Sequence, residues 1–136
     1  DSLKRMKKLG IWVEVTTLVV PEMNDSDAEL GEIAQFIASE LGAETPWHVS
    51  RFHPDYKMYD RGPTPATTLR RAYEIGRLAG LSYVYVGNLP GARLEDTVCP
   101  NCNRTVIERW GFQVGQRNIQ NGKCAFCGTV IDGVGM

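Results

Sequence analysis

The sequence predicts an α/β fold followed by a small module built around four cysteines. Short β-branched runs at residues 11–20, 47–52 and 81–86 alternate with segments that have helical apolar stripes. Such alternation with short connections is typical of βαβ units that form a parallel sheet. All four cysteines follow in the last third of the chain, beyond a Pro-Gly turn. We therefore place one domain at residues 1–92 and the cysteine module at residues 93–136.

The first run predicts a strand over residues 11–20 that is buried on both sides and ends at Pro21. Its alternate residues form two faces, because successive side chains of a strand point to opposite sides of the sheet. The face expected under helices carries Ile11, Val13, Val15, Thr17 and Val19. The face expected to line a mixed interior carries Trp12, Glu14, Thr16, Leu18 and Val20.

Turn and capping signals delimit the helices. Ser26 with Glu29 three residues later forms a capping box, which predicts a helix that ends at Gly42. Thr64 is the expected N-cap of a later helix, with Pro65 at its first position and Gly80 as its end.

The cysteines form two CxxC pairs, and the residue after each pair, Asn103 or Gly128, favours a turn. A tetrahedral four-cysteine site of the zinc-ribbon type is the expected structure. Such a site is saturated, so its role would be structural rather than catalytic. Two disulfides, a dithiol redox pair and a rubredoxin-like iron site are the alternatives. The expected metal ligands are Cys99, Cys102, Cys124 and Cys127.

Composition limits the partners. A net charge of −1 gives no general attraction to nucleic acid. No run is long and apolar enough to span a membrane, and the start lacks a signal-peptide pattern. Cysteines at the spacing of a metal site, without a secretion signal, favour a reducing compartment, and we expect the cytoplasm. The chain begins with what looks like the end of a helix, and we therefore expect it to be a piece of a longer protein.

Polar residues follow each predicted strand, where ligands bind in parallel α/β sheets. The loop after the second strand is the richest, since a base, a carboxylate, a phenol and an amine lie within five residues. Structural interpretations compete: a plain loop for His53, a buried hydrogen-bonded carboxylate for Glu14, and a strand residue for His48. The loop residues are Asn24 and Asp25, then His53, Asp55, Tyr56 and Lys57, then Asn88.

Three segments carry a resemblance to a known family. Residues 12–26 (WVEVTTLVVPEMNDS), 46–58 (PWHVSRFHPDYKM) and 83–91 (YVYVGNLPG) resemble radical SAM enzymes related to pyruvate formate-lyase activating enzymes. Together with the two CxxC pairs, they are similar to the radical SAM member of the AmmeMemoRadiSam system. The resemblance covers nearly the whole chain.

The resemblance implies the C-terminal part of a partial (β/α)6 TIM-like barrel, followed by a zinc-ribbon-like module. It also implies that His53 contacts the methionine part of S-adenosylmethionine, and that Glu14 and Thr16 line the barrel interior. The family's CxxxCxxC and Gly-Gly-Glu motifs are absent from this sequence. The [4Fe–4S] cluster and the cleavage of S-adenosylmethionine would therefore require the missing N-terminal half.

That half is the first partner the resemblance implies, and a Memo-family protein of the same system is the second. The alternative interpretation is a self-contained α/β domain whose ribbon binds protein or nucleic acid. Residues 104–118, with three arginines and two aromatic residues, are its main support.

Overall fold

A computed structural model describes residues 1–54, 62–87, 89 and 91–136 of the chain. Its N-terminal part alternates helices and strands in the expected order. The elements are α1 (Ser2–Lys8), β1 (Val15–Val19), α2 (Asp27–Phe36) with a π-helical turn (Ile37–Leu41), β2 (Trp47–Arg51), α3 (Ala66–Leu78) and β3 (Val84–Gly87).

The three strands form a parallel sheet, as the sequence predicts, and their order in it is β1-β2-β3. The strands are shorter than expected, because pairing on the central strand β2 limits them. Val15 of β1 and Val84 of β3 are both in register with Trp47, the first residue of β2. Residues 11–14 and 81–83 therefore lie outside the paired strands, although Val13 and Leu81 are buried and the Tyr83 carbonyl accepts the N–H of Trp47 over 3.0 Å.

Helices α2 and α3 cover one face of the sheet. Trp47 lies at the centre of this core with no exposed surface, and its indole N–H donates to Thr17 Oγ1 over 3.0 Å. Gly76 of α3 lets the helix approach closely, because a Cβ there would lie 2.9 Å from both Trp47 and Val84. The core residues are Val19, Leu30, Ala34, Ile37, Leu41, Trp47, Val49, Leu69, Ala72, Leu81, Val84 and Val86.

One predicted helix cap is correct and the other is wrong. Ser26 Oγ accepts the backbone N–H of Glu29 at the start of α2. Thr64 does not cap α3, whose N-cap position is Pro65. Its hydroxyl instead donates to the Val19 carbonyl over 2.6 Å and accepts the N–H of Phe52 over 2.9 Å. Buried Thr64 thus satisfies backbone groups where β1 and β2 end, which a surface cap could not do.

The C-terminal part is a small antiparallel module, called the ribbon below. It has a three-stranded sheet and a two-stranded hairpin. The strands are β4 (Thr97–Val98), β5 (Thr105–Trp110), β6 (Gln113–Arg117), β7 (Ile119–Gln120) and β8 (Lys123–Cys124).

The ribbon contacts the parallel sheet through two tyrosines. The Tyr83 hydroxyl donates to Asp132 Oδ2 over 3.1 Å and accepts the Asp132 backbone N–H over 2.9 Å. The Tyr85 hydroxyl lies 3.0 Å from Thr97 Oγ1. Within the described ranges, none of the helices combines the length and apolar character needed to cross a bilayer.

Candidate metal centre and adjoining cleft

The four cysteines converge on one point. Their sulfur atoms all lie within 4.8 Å of one another, and all four thiols are free. Cys99 Sγ is 3.6 Å from Cys127 Sγ, and Cys102 Sγ is 3.8 Å from Cys124 Sγ. Tetrahedral zinc with Zn–S bonds of about 2.3 Å requires sulfurs about 3.8 Å apart. The cluster can therefore hold one metal ion such as zinc, and these separations are much longer than a disulfide bond.

Each CxxC pair sits on a tight turn of the expected kind. Asn103 has φ of 59° and Gly128 has φ of 79°, both in the left-handed region. The N–H of Asn103 donates to the Cys99 carbonyl over 3.0 Å, and that of Gly128 to the Cys124 carbonyl over 2.8 Å. These turns direct both sulfurs of a pair to the same side, as a shared ion requires.

The thiols differ in how readily they ionise. Contacts with Thr129, first from its hydroxyl and then from its backbone, lower the pKa of Cys127 to about 6. Because a metal binds the thiolate, this lowered pKa favours the form of Cys127 that ligates a metal. Cys99 and Cys124 are buried, so the ribbon core encloses half of the ligand set.

A cleft of about 490 Å³ lies between the ribbon and the sheet face opposite the helices. On the sheet side, His48 Nε2 lies 2.6 Å from Glu14 Oε2, and the Trp12 indole N–H donates to Glu14 Oε1 over 2.9 Å. The His48 ring stacks on Tyr85 with ring centres 5.0 Å apart. The ribbon contributes Arg109, whose guanidinium carbon lies 5.7 Å from the centre of the Tyr85 ring.

Two ionisable groups of the cleft have shifted pKa values. Burial acts to raise the pKa of Glu14, but the hydrogen bonds from Trp12 and His48 outweigh it and lower that pKa. Burial raises the pKa of Tyr85, so its hydroxyl stays protonated at neutral pH. The cleft thus holds an ionised carboxylate against an imidazole, beside a neutral phenol.

The residues that the resemblance assigns to a barrel interior or to S-adenosylmethionine lie in different surroundings. Glu14 lines the cleft, whereas Thr16 is exposed and in register with His48 without lining it. His53 lies beyond the end of β2, is exposed, and has Nδ1 3.2 Å from the Pro54 carbonyl. The Asn24 side chain accepts the Val20 N–H and donates to the Leu18 carbonyl, which is the behaviour of a turn residue. The predictions for Asp55, Tyr56, Lys57 and Asn88 fall outside the described residues.

Sequence reasoning missed part of the cleft. It gives His48 a structural interpretation and names no site role for Tyr85, yet both line the cleft. Alternation offered a signal, since residues 48 and 50 must face away from buried Trp47 and Val49. The sequence indicates Arg109 only as one of the three arginines of residues 104–118, and nothing in it places that side chain in the cleft, because the ribbon folds back to bring it there.

Comparison with known proteins gives one clear relative. An uncharacterized protein of Methanocaldococcus jannaschii is 48% identical over 134 residues, which cover 97% of this chain. The chain spans 40% of that relative's length. No protein-family model matches the sequence, and no solved structure matches it.

Proposed function

We propose that this chain is the C-terminal portion of a radical SAM enzyme similar to the AmmeMemoRadiSam member and to pyruvate formate-lyase activating enzymes. The missing portion would supply the [4Fe–4S] cluster that reductively cleaves S-adenosylmethionine. The sheet would then be part of a partial (β/α)6 barrel, with the ribbon as a structural zinc module. The residue motifs of the three strands and their loops are the basis of the proposal.

The arrangement of the sheet is the observation that supports this proposal best. Three parallel strands lie in sequential order, and α2 and α3 pack on one face only. Doubly wound sheets reverse their strand order and carry helices on both faces, whereas barrels keep the order and place helices outside. β1 is an edge strand here, and Leu18 on its open face is half exposed. A further strand of a longer chain would pair with that edge.

The zinc site and the proposed [4Fe–4S] cluster would not share ligands. Its four cysteines already form one cluster sized for a single ion. The chain therefore has no cysteines left for a [4Fe–4S] cluster, which would need the three ligands of the missing portion. S-adenosylmethionine has a candidate contact in His53, at the carboxyl end of β2, where its imidazole can donate to a ligand carboxylate.

The coding sequence ahead of Asp1 gives the first test. A CxxxCxxC motif encoded there supports the proposal, and an upstream region without it refutes the proposal. The second test is anaerobic reconstitution of the longer protein with iron and sulfide. Reduced protein should convert S-adenosylmethionine to 5′-deoxyadenosine and methionine, and replacement of the three upstream cysteines by alanine should abolish this. A longer protein that binds a cluster but never cleaves S-adenosylmethionine would contradict the proposal.

A second candidate function is supported by the tip of the β5–β6 hairpin. Phe112 is fully exposed there, and Trp110 and Val114 are more than half exposed. An exposed aromatic tip suits a stand-alone module that binds a protein. Nucleic acid is the weaker partner, because the chain carries a net charge of −1. Tight binding of a partner by this chain alone, together with an upstream region that lacks CxxxCxxC, would favour this candidate.

A further inference from the structure

We propose that the cleft between the sheet and the ribbon binds a small carboxylate ligand, with Arg109 as its anchor. The cleft measures about 490 Å³, which is within the range of small-molecule sites. It lies on the open face of the sheet, whereas His53 lies beyond the end of β2. The site is thus distinct from the proposed contact with S-adenosylmethionine and does not depend on it.

Arg109 is the basis of the proposal, because its guanidinium lines the cleft and attracts the Glu14 carboxylate without an ion-pair contact. Within the part of the chain that the structure describes, no carboxylate lies within ion-pair distance of its guanidinium. Among the described residues, its guanidinium bonds to two hydroxyls, those of Thr97 and Tyr85, which leaves N–H donors for a ligand. Stacking near Tyr85 holds the guanidinium at the wall of the cleft. A guanidinium fixed this way matches the two oxygens of a carboxylate, which it can bind through two parallel hydrogen bonds.

His48 offers a second contact on the opposite wall. Glu14 is an ionised acceptor, so the His48 nitrogen next to it, Nε2, must be the one that carries a proton. The other ring nitrogen, Nδ1, has no hydrogen-bond partner among the described residues. It is therefore left for a ligand, as an acceptor in the neutral ring and as a donor in the protonated ring.

The remaining charges favour a singly charged ligand. Glu14, Glu95 and Asp132 all line the cleft, and the phenol of Tyr85 stays neutral. Each carboxylate has its own donor: His48 and Trp12 for Glu14, Gly111 N–H for Glu95, and the Tyr83 hydroxyl for Asp132. These three negative charges would repel a phosphate dianion more strongly than a monocarboxylate.

The test uses this chain, loaded with zinc, in an NMR titration with sodium propionate at fixed ionic strength. The Arg109 Nε–H signal and the His48 ring signals should shift and saturate. Propionamide, which has the same shape without the charge, should give no saturating shift. Arg109→Gln should raise the apparent dissociation constant of propionate roughly 10- to 100-fold, the loss expected for hydrogen bonds to a charged group.

Arg70→Gln is the matched control, because Arg70 is an exposed arginine on α3, and it should leave the titration unchanged. Equal titrations of the parent and Arg109→Gln would overturn the proposal, and so would tighter binding of inorganic phosphate. If Arg109→Gln fails to fold, the comparison of propionate with propionamide at the Arg109 signal of the parent decides. Because no cluster or S-adenosylmethionine is involved, a negative result here leaves the proposed radical chemistry untouched.

Discussion

Replacement of Gly76 by alanine would test the close packing of α3 on the sheet. The new methyl group would lie 2.9 Å from Trp47 Cε3 and 2.9 Å from Val84 Cγ2. Trp47 is fully buried and hydrogen-bonded to Thr17, so its ring has little freedom to move away. The neighbouring strand residue His48 lies on the other face, so a shift of β2 would also reach the cleft.

Two effects of opposite sign determine how much Gly76→Ala changes the stability of the fold. Alanine in a helix interior is more stable than glycine by about 0.5–1 kcal/mol. Overpacking of a dense core costs about 1–3 kcal/mol. The packing cost should win, because the clashing atoms belong to a rigid ring and a β-branched side chain rather than to a flexible tip. We expect a net destabilisation of about 1–2 kcal/mol.

Gly31→Ala provides the matched control. Gly31 lies in α2, and a Cβ there would meet no atom within 4 Å. This variant should gain stability by about 0.5–1 kcal/mol. Both substitutions change the unfolded chain equally, so the difference between the two variants isolates the packing cost. Urea unfolding in the presence of zinc, followed by circular dichroism and tryptophan fluorescence, measures it. If Gly76→Ala proves as stable as Gly31→Ala, the packing of α3 described above is wrong.

Four further outcomes are expected. The ribbon should bind one zinc ion per chain through its four cysteines, as measured by elemental analysis. Chelation should unfold the region from about Thr97 onward while the α/β part persists, as measured by hydrogen exchange. The isolated chain should self-associate through the open β1 edge, whereas a monodisperse monomer in light scattering would count against the half-barrel. The lowered pKa of Glu14 stabilises the fold above its ordinary value of 4.5, so the stability difference from Glu14→Gln should shrink as the pH falls below that value. In the longer protein, His53→Ala should weaken binding of S-adenosylmethionine by about 1.5–3 kcal/mol without changing metal content, and a loss under about twofold would remove His53 from the site.

The sequence predicts the order of elements well because periodicity and turn residues are local signals. Ser26, Gly42 and the parallel strands all follow such signals. Strand lengths are less accessible, since the start of β1 depends on where β2 begins. Thr64 shows the same limit: a pattern typical of a cap cannot reveal that the Val19 carbonyl, 45 residues away, needs its hydroxyl.

The metal centre and the cleft differ in how far the sequence predicts them, and the reason is again whether the signal is local. The metal centre is predictable because two residues between cysteines, with a turn residue after them, fix each half locally. The cleft depends on how the ribbon docks. Glu14 can be assigned to the open face from alternation, but the partners of Arg109 come from β3 and β4, elements whose contact no local pattern describes.

The metal centre and the cleft are mechanically linked through the first ribbon strand. Thr97 precedes the ligand Cys99 by two residues, and its hydroxyl contacts both Tyr85 of the sheet and Arg109 of the ribbon. The β4–β5 pairing positions Arg109. Next to it, the Cys99 N–H donates to the Arg104 carbonyl, which holds the turn of the first CxxC pair. Binding of a metal would thus fix the wall of the cleft as well as the ribbon itself. If the cleft binds a carboxylate as proposed, the saturated four-cysteine site serves that binding without touching the ligand, because the ribbon that it holds together contributes the Arg109 guanidinium to the cleft.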